Sequence, residues 1–242
     1  LCGRESLQGP VVVAFADTLF RADFTIDPDA DGVLFVQRIE DPSAFGVVVT
    51  DGSGAIVDYV EKPKQWVGDL AMIGIYAFKD GERLERELQR LIDEGIQHGG
   101  EFQLPDALRN MTQAGLRFIP GEVSEWMDCG NKAATVETNQ RILELTQDGN
   151  SIDSTADVSE SIIIPPVYLG ANVRIERSVI GPHATIGAGT VVADSRLENV
   201  LIQNHSTIRN ARLQGAMIGS HAAYDGGVSD VSLGDYSTVQ AG

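Results

Sequence analysis

Cysteine is nearly absent from this chain of 242 residues, which holds only Cys2 and Cys129. Two thiols so far apart make neither a disulfide framework nor a zinc site, and this points to a reducing compartment. Basic residues are scarce as well: 18 Lys and Arg stand against 35 Asp and Glu, for a formal net charge of -17. No basic patch is available to neutralise a phosphate backbone, so nucleic acid is not an expected partner. Small nucleotides carried with a divalent cation stay open, and the acidity also reads as a solubility adaptation to a salty cytoplasm. No apolar run approaches the roughly 20 residues that cross a bilayer, and no signal peptide is visible. A soluble, cytoplasmic protein with no membrane partner is therefore expected.

What is present divides into two periodicities. A mass of 26.0 kDa with 43% hydrophobic residues is enough for one large or two modest domains. Val11-Val12-Val13-Ala14-Phe15 is a continuous apolar run of the kind found in a central parallel strand. It follows closely on Leu1, which is not Met, and an amino-terminal truncation is expected. Further strands are predicted over 32–36, 46–49, 55–60 and 71–78, with Asp51-Gly52-Ser53-Gly54 as a hairpin turn. Leu84, Leu88, Leu91 and Ile92 mark one face of a helix that Gly95 can stop. A second helix starts near Gln103 with Leu104, Ala107, Leu108 and Met111, and a third near Lys132 with Val136, Ile142, Leu143 and Leu145. Strands alternating with helices predict an α/β sheet covered on both faces over residues 1–147, followed by a polar linker over 148–160.

From 161 to 242 the period becomes six. Ile180-Gly181-Pro182-His183-Ala184-Thr185 is followed at once by Ile186-Gly187-Ala188-Gly189-Thr190-Val191, and hexads return from Ile202, Ile218 and Leu233. An aliphatic residue opens each unit and Ala, Thr or Ser fills the fifth place. A three-faced prism demands this, because every sixth residue points to the axis and the tight corner beside it admits only small side chains. The pattern resembles the hexapeptide-repeat left-handed parallel β-helix. Phase breaks near 197–200 and 226–230 predict loops or irregular coils. Gly187-Ala188-Gly189-Thr190 looks like a phosphate loop but lies inside a hexad, where no helix follows. His183, His205 and His221 share a hexad slot and are expected to face solvent on successive coils.

The first half carries a series of short motifs in order: Phe15-Ala16-Asp17-Thr18-Leu19-Phe20, Phe45-Gly46-Val47-Val48, Glu61-Lys62-Pro63, Gly74-Ile75-Tyr76, Gly100-Glu101-Phe102-Gln103-Leu104-Pro105-Asp106-Ala107 and Trp126-Met127-Asp128-Cys129-Gly130. Together they resemble the sugar-1-phosphate nucleotidyltransferases, and within them the long-form glucose-1-phosphate thymidylyltransferases that end in a β-helix. The resemblance implies an incomplete Rossmann-like nucleotidyltransferase domain that makes an NDP-sugar of the dTDP- or UDP-glucose type. Its partners would be a hexose 1-phosphate and a nucleoside triphosphate, its cofactor Mg, and its assembly a homo-oligomer.

The same resemblance assigns roles. Asp17 and Asp128 would bind the metal, Lys62 the sugar phosphate and Glu61 the sugar hydroxyls. Gly46, Met72, Gly74, Tyr76 and Trp126 would line the substrate site. Each residue also has a plainer reading: Asp17 and Asp128 as helix-capping or turn residues, Glu61 and Lys62 as solvated charge, and Met72, Gly74, Tyr76 and Trp126 as core. Cys129, beside Asp128 but with no His near it in sequence, is expected to be a buried structural thiol. Members of the family carry a glycine-rich triphosphate loop ahead of the strand at Val11, which these residues do not contain; the fragment alone is therefore expected to be inactive. Two other readings stay open: a bifunctional enzyme whose β-helix also transfers an acyl group, and a non-catalytic regulatory or assembly subunit.

Overall fold

The structure, a computed structural model, describes residues 2–22, 27–146 and 150–240. It comprises two compact units, Leu1–Met127 and Asp128–Gly242.

The first unit is built on a six-stranded mixed sheet. Its strands are β1 (Val11–Ala14), β3 (Gly32–Arg38), β4 (Gly46–Thr50), β5 (Ile56–Glu61), β6 (Leu70–Phe78) and β7 (Phe118–Glu122). They run in the order β5-β4-β6-β3-β7, with β1 joined to β6. β2 (Thr18–Arg21) and β8 (Glu125–Asp128) form a separate two-stranded ribbon. Nine consecutive residues of β6 are buried, as befits the strand with neighbours on both edges. The Asp51 turn forms as expected: its carboxylate accepts the amides of Ser53 and Ala55, and β4 and β5 pair antiparallel across it.

Helices α1 (Gly81–Asp93) and α2 (Leu104–Gln113) cover one sheet face. Asp80 caps α1 by accepting the Arg83 amide at 2.8 Å, and Pro105 occupies the first turn of α2, where its missing N–H costs nothing. Leu84, Leu108 and Met111 pack there on Leu34, Val36, Tyr59, Tyr76 and Phe118. The opposite face carries Val33, Phe35, Ile73, Ile75 and Ala77, the alternate residues of the same strands, packed by Phe20 of β2 and Trp126 of β8.

Two expectations change. The run at Val11 is not a central parallel strand: among the described residues β1 pairs only with β6, antiparallel, and its residues alternate between half-buried and exposed. A continuous apolar run cannot by itself distinguish a strand buried on both faces from one buried on one. The second face is covered by a β-ribbon, where a helix was the expected cover.

The second unit opens with α3 (Lys132–Leu145) and continues as a parallel β-solenoid of about five turns, consistent with the left-handed β-helix expected from the hexads. α3 is tied along this solenoid: the Thr185 hydroxyl donates to Asn139 Oδ1 at 2.6 Å, His183 Nε2 lies 3.2 Å from the Glu144 carboxylate, and Lys132 pairs with Asp230. Residues 150–152 and 157–159, within the expected linker, are already strands of the first turn, paired with Val167–Leu169 and Arg174–Glu176.

Three inward columns build the solenoid core: Leu169, Ile186, Ile202 and Ile218; Ile175, Val192, Ile208 and Tyr224; and Ile180, Leu197 and Leu213. Offsets between paired strands are 17 residues from Val167 to Ala184, 16 from Ala184 to Val200 and 15 from Met217 to Ser232. Each is shorter than three full hexads. The phase breaks near 197–200 and 226–230 are therefore not loops: Arg196–Glu198, Val200–Ile202 and Ala223–Ser229 are strands in register, and the missing residues come out of the corners.

Those corners are turned by left-handed residues stacked in columns. Asn172, Gly189, His205, His221 and Tyr236 share one corner, with φ between 57° and 68°. Glu160, Arg177, Asp194 and Asn210 share another. The small hexad residues also do more than fit. Ser178 and Ser195 hydroxyls accept the amides of Ser195 and Ala211 on the next coil, and Thr190 and Ser206 accept those of Ser206 and Ala222. These buried ladders satisfy amides that the turning chain would otherwise orphan.

Candidate functional site

The site candidates of the first unit gather where β6 breaks its ladder. β4 pairs with the start of β6 at Val47 and Ala71, and β1 pairs with its end from Ile75 to Phe78, so the same edge of β6 is open between them. On the other edge, Leu34 of β3 faces Tyr76 while Val36 faces Met72, so one residue of β3, Phe35, stands against three of β6, Ile73, Gly74 and Ile75. This bulge centres on Gly74, whose φ of 80° suits glycine and whose missing Cβ would lie 2.9 Å from the Phe15 ring.

The bulge presents two successive carbonyls to the loop after β1. Gly74 C=O accepts the Phe15 amide and Ile73 C=O accepts the Thr18 hydroxyl, each at 2.8 Å. Asp17 lies between these two anchors and is exposed. Trp126 of β8 donates its indole N–H to the same Thr18 oxygen at 2.8 Å, and Phe45 packs edge-on to the indole at 5.0 Å. Of the two plain readings of Asp17, the helix cap does not hold, since the residue joins two strands, but the turn residue does: Ala16 and Asp17 form the turn between β1 and β2.

Glu61 ends β5 opposite Gly46. A Cβ on Gly46 would come within 2.4 Å of Met72 Cε and 2.8 Å of a Glu61 carboxylate oxygen, so the glycine makes room for both. Tyr76 is buried, edge-on to Phe15 at 5.7 Å, and burial together with the Glu61 charge pushes its phenol well above the usual range. Lys62 stands next to this cluster with a left-handed backbone, φ 43°, held by its amide bonded to the Phe45 carbonyl at 3.1 Å. Such a conformation is unfavourable for a side-chain-bearing residue and persists where surroundings impose it. Pro63 behind it is buried, and among the described residues no ion pair or hydrogen bond engages the exposed Lys62 ammonium.

The structure thus brings together Gly46, Glu61, Met72 and Tyr76, and links the Asp17 loop to Gly74 and Trp126. Asp128 opens the second unit. Its carboxylate accepts the Gly130 amide at 2.9 Å and its carbonyl accepts the Thr138 hydroxyl at 2.6 Å. The cap of α3 is Asn131, whose side chain accepts the Ala134 amide, so Asp128 does not serve as that cap. Cys129 is a half-buried free thiol. Among the described residues no three His, Cys, Asp or Glu side chains cluster as metal ligands.

The histidines do not form one series: His205 and His221 stack at 5.1 Å and continue onto Tyr236 at 4.9 Å, while His183 occupies a different corner beside Glu144. Sequence reasoning passed over Thr18 and Phe45, although both lie inside quoted motifs; a hydroxyl or ring acquires meaning only through what it touches. Two open concavities, of about 300 Å³ beside Arg196 and Arg212 and about 480 Å³ along α1, touch none of the site residues.

A family model for nucleotidyl transferases matches residues 11–144. A glucose-1-phosphate thymidylyltransferase of Streptomyces griseus is 28% identical over 234 residues, which cover 88% of this chain and 64% of that protein. A protein of the same name from Streptomyces antibioticus is 28% identical over 231 residues, covering 86% and 63%. A glucose-1-phosphate adenylyltransferase of Lachnospira eligens is 26% identical over 202 residues, covering 76% and 47%. The chain spans less than two thirds of the length of each of these relatives.

Proposed function

Because this chain belongs to the nucleotidyl transferase family, we propose that its first unit binds the sugar phosphate in a reaction that joins a hexose 1-phosphate to a nucleoside triphosphate. A phosphate oxygen of the hexose 1-phosphate attacks the α-phosphorus, the bond to the β-phosphate breaks, and an NDP-sugar of the dTDP- or UDP-glucose type leaves with pyrophosphate. The observation that carries this reading is the meeting of Gly46, Glu61, Met72 and Tyr76 next in the chain to Lys62, whose exposed ammonium has no partner among the described residues.

Each residue has a task that its surroundings permit. The Lys62 cation attracts the dianionic sugar phosphate, and its constrained backbone holds the ammonium near the end of β5. Glu61 accepts hydrogen bonds from sugar hydroxyls; the bare Cα of Gly46 lets a ligand approach the strand closely. Met72 offers backbone groups on the open edge of β6, Gly74 shapes that edge, and Tyr76 stays a neutral wall below its raised pKa. Trp126 closes the side toward Thr18.

Asp17 and Asp128 supply carboxylate oxygens for Mg, and the fit rests on donor chemistry. Magnesium takes one or two carboxylates together with waters and substrate phosphates, so an exposed carboxylate without a third protein ligand is adequate. Bound there, the ion would neutralise charge on the phosphates. The second unit serves contacts between copies in a homo-oligomer.

Titration calorimetry of this chain with glucose 1-phosphate tests the sugar half. Lys62→Met should raise the Kd at least about tenfold, the loss of one charge-assisted hydrogen bond, and Glu61→Gln should weaken binding by less. Unchanged binding in both variants would sink the assignment. Pyrophosphate release from the full-length protein with glucose 1-phosphate and dTTP or UTP tests the reaction itself.

A further inference from the structure

The side chain that ties the site together is Thr18. Its hydroxyl donates to the Ile73 carbonyl at 2.8 Å and accepts the Trp126 indole N–H at 2.8 Å, so both neighbours orient a group that would otherwise rotate freely. The Phe15 amide, three residues earlier, bonds the adjacent carbonyl of Gly74. Only Ala16 and Asp17 lie between these anchors. Among the described residues no hydrogen bond or ion pair engages the Asp17 carboxylate. The place of its Cα is set by the loop backbone, which is held by the β6 bulge at both ends.

Building on the reading of Asp17 as a metal ligand, we infer that Thr18 is a positioning residue for that carboxylate. The hydroxyl fixes the carboxy-terminal end of the Asp17 loop to the bulge and to Trp126, and so holds the carboxylate ready for a divalent cation before substrate arrives. Valine has nearly the same shape but neither donates nor accepts; serine keeps both bonds.

The chain has two tryptophans, and Trp66 is exposed in the segment after Lys62, outside the residues given a role. Trp66→Phe therefore leaves Trp126 as a single reporter beside Thr18. In that background Mn²⁺ alone is titrated and its saturable quenching of Trp126 is followed, with far-UV circular dichroism as the check on folding. Thr18→Val should weaken Mn²⁺ binding about tenfold, the usual range for loss of a group that orients a metal ligand. It should also shift the metal-free Trp126 emission, whereas Thr18→Ser should match the parent within about twofold. Asp17→Asn should abolish the saturable quench. Wild-type Mn²⁺ affinity in Thr18→Val, with Asp17→Asn defective, overturns the positioning role and leaves the metal reading intact. An undiminished quench in Asp17→Asn overturns the metal reading instead, and the shift in metal-free emission still reports whether Thr18 holds the indole. If Thr18→Val does not fold, the smaller Thr18→Ala takes its place in the series.

Discussion

The first unit and the solenoid solve the same problem, the burial of a sheet, by opposite means. The solenoid repeats one solution. Leu169, Ile186, Ile202 and Ile218 stand in one buried column, each contacting the coil above and below, and the Ser178–Ser195 and Thr190–Ser206 ladders repeat one amide-to-hydroxyl bond. The first unit relies on local, unrepeated solutions: the bulge at Gly74, the left-handed backbone of Lys62 and the hydroxyl joint at Thr18. Redundancy suits a scaffold, whereas a binding site needs an irregular edge where backbone groups and charges converge on something other than the next strand.

That contrast can be broken by mutation. Ile186→Ala, in the middle of a column, should cost about 3 to 4 kcal/mol from lost burial and the cavity left behind. Ile202→Ala should cost the same within about 1 kcal/mol, because its environment repeats. Urea unfolding of both variants checks this, and strongly unequal costs would show that the coils are not equivalent. Gly74→Val places a branched side chain at φ 80° against Phe15. It should cost about 2 to 3 kcal/mol in the first unit, with no counterpart position elsewhere in that sheet to share the strain.

Ser195→Ala removes the acceptor for the buried Ala211 amide and should cost about 1 to 2 kcal/mol in thermal unfolding, while Ser195→Thr, which keeps the oxygen, should recover part of it. The smallest effect belongs to the corner pair of Arg177 and Asp194. The guanidinium grips both carboxylate oxygens, at 2.7 and 2.8 Å, and holds Asp194 below the usual carboxylate range. A lowered folded pKa means that the contribution is present above the ordinary Asp value of about 3.9 and is lost as pH falls through the lower folded value. Asp194→Asn should therefore lower the Tm slightly at pH 7 and leave it unchanged near pH 2; a difference that persists in acid would assign the effect to packing.

Legibility in the sequence followed the same division. The hexads were readable because each residue answers to a rule that recurs on every coil, so Ile180, Ile186 and Val192 announce an inward position without knowledge of their neighbours. Corner lengths were not readable, since a coil of 15, 16 or 17 residues preserves the register equally well once left-handed residues such as Asn199 and Asn210 turn the chain. In the first unit the motifs located Gly46, Glu61, Lys62 and Asp17 along the chain. Gly74 within a strand is a recognised sign of a bulge. Which groups that bulge would hold was beyond reach, because Thr18 and Ile73 are 55 residues apart and Thr18 and Trp126 are 108 apart.

The sequence by itself determined the periods, and with them the two kinds of architecture, the axial columns of the solenoid and the residue types from which a sugar-phosphate site can be made. Periodicity is local: it depends on the 2-residue alternation of a strand or the six-residue face of a prism, and it survives any tertiary arrangement. Only the tertiary structure decided that β1 runs antiparallel to β6, that α3 packs on the solenoid, and that a threonine hydroxyl joins the Asp17 loop to a tryptophan and a strand bulge. Those outcomes depend on hydrogen bonds between distant segments, whose partners are chosen by packing and polar satisfaction across the whole unit, and no window of sequence contains both ends of such a bond.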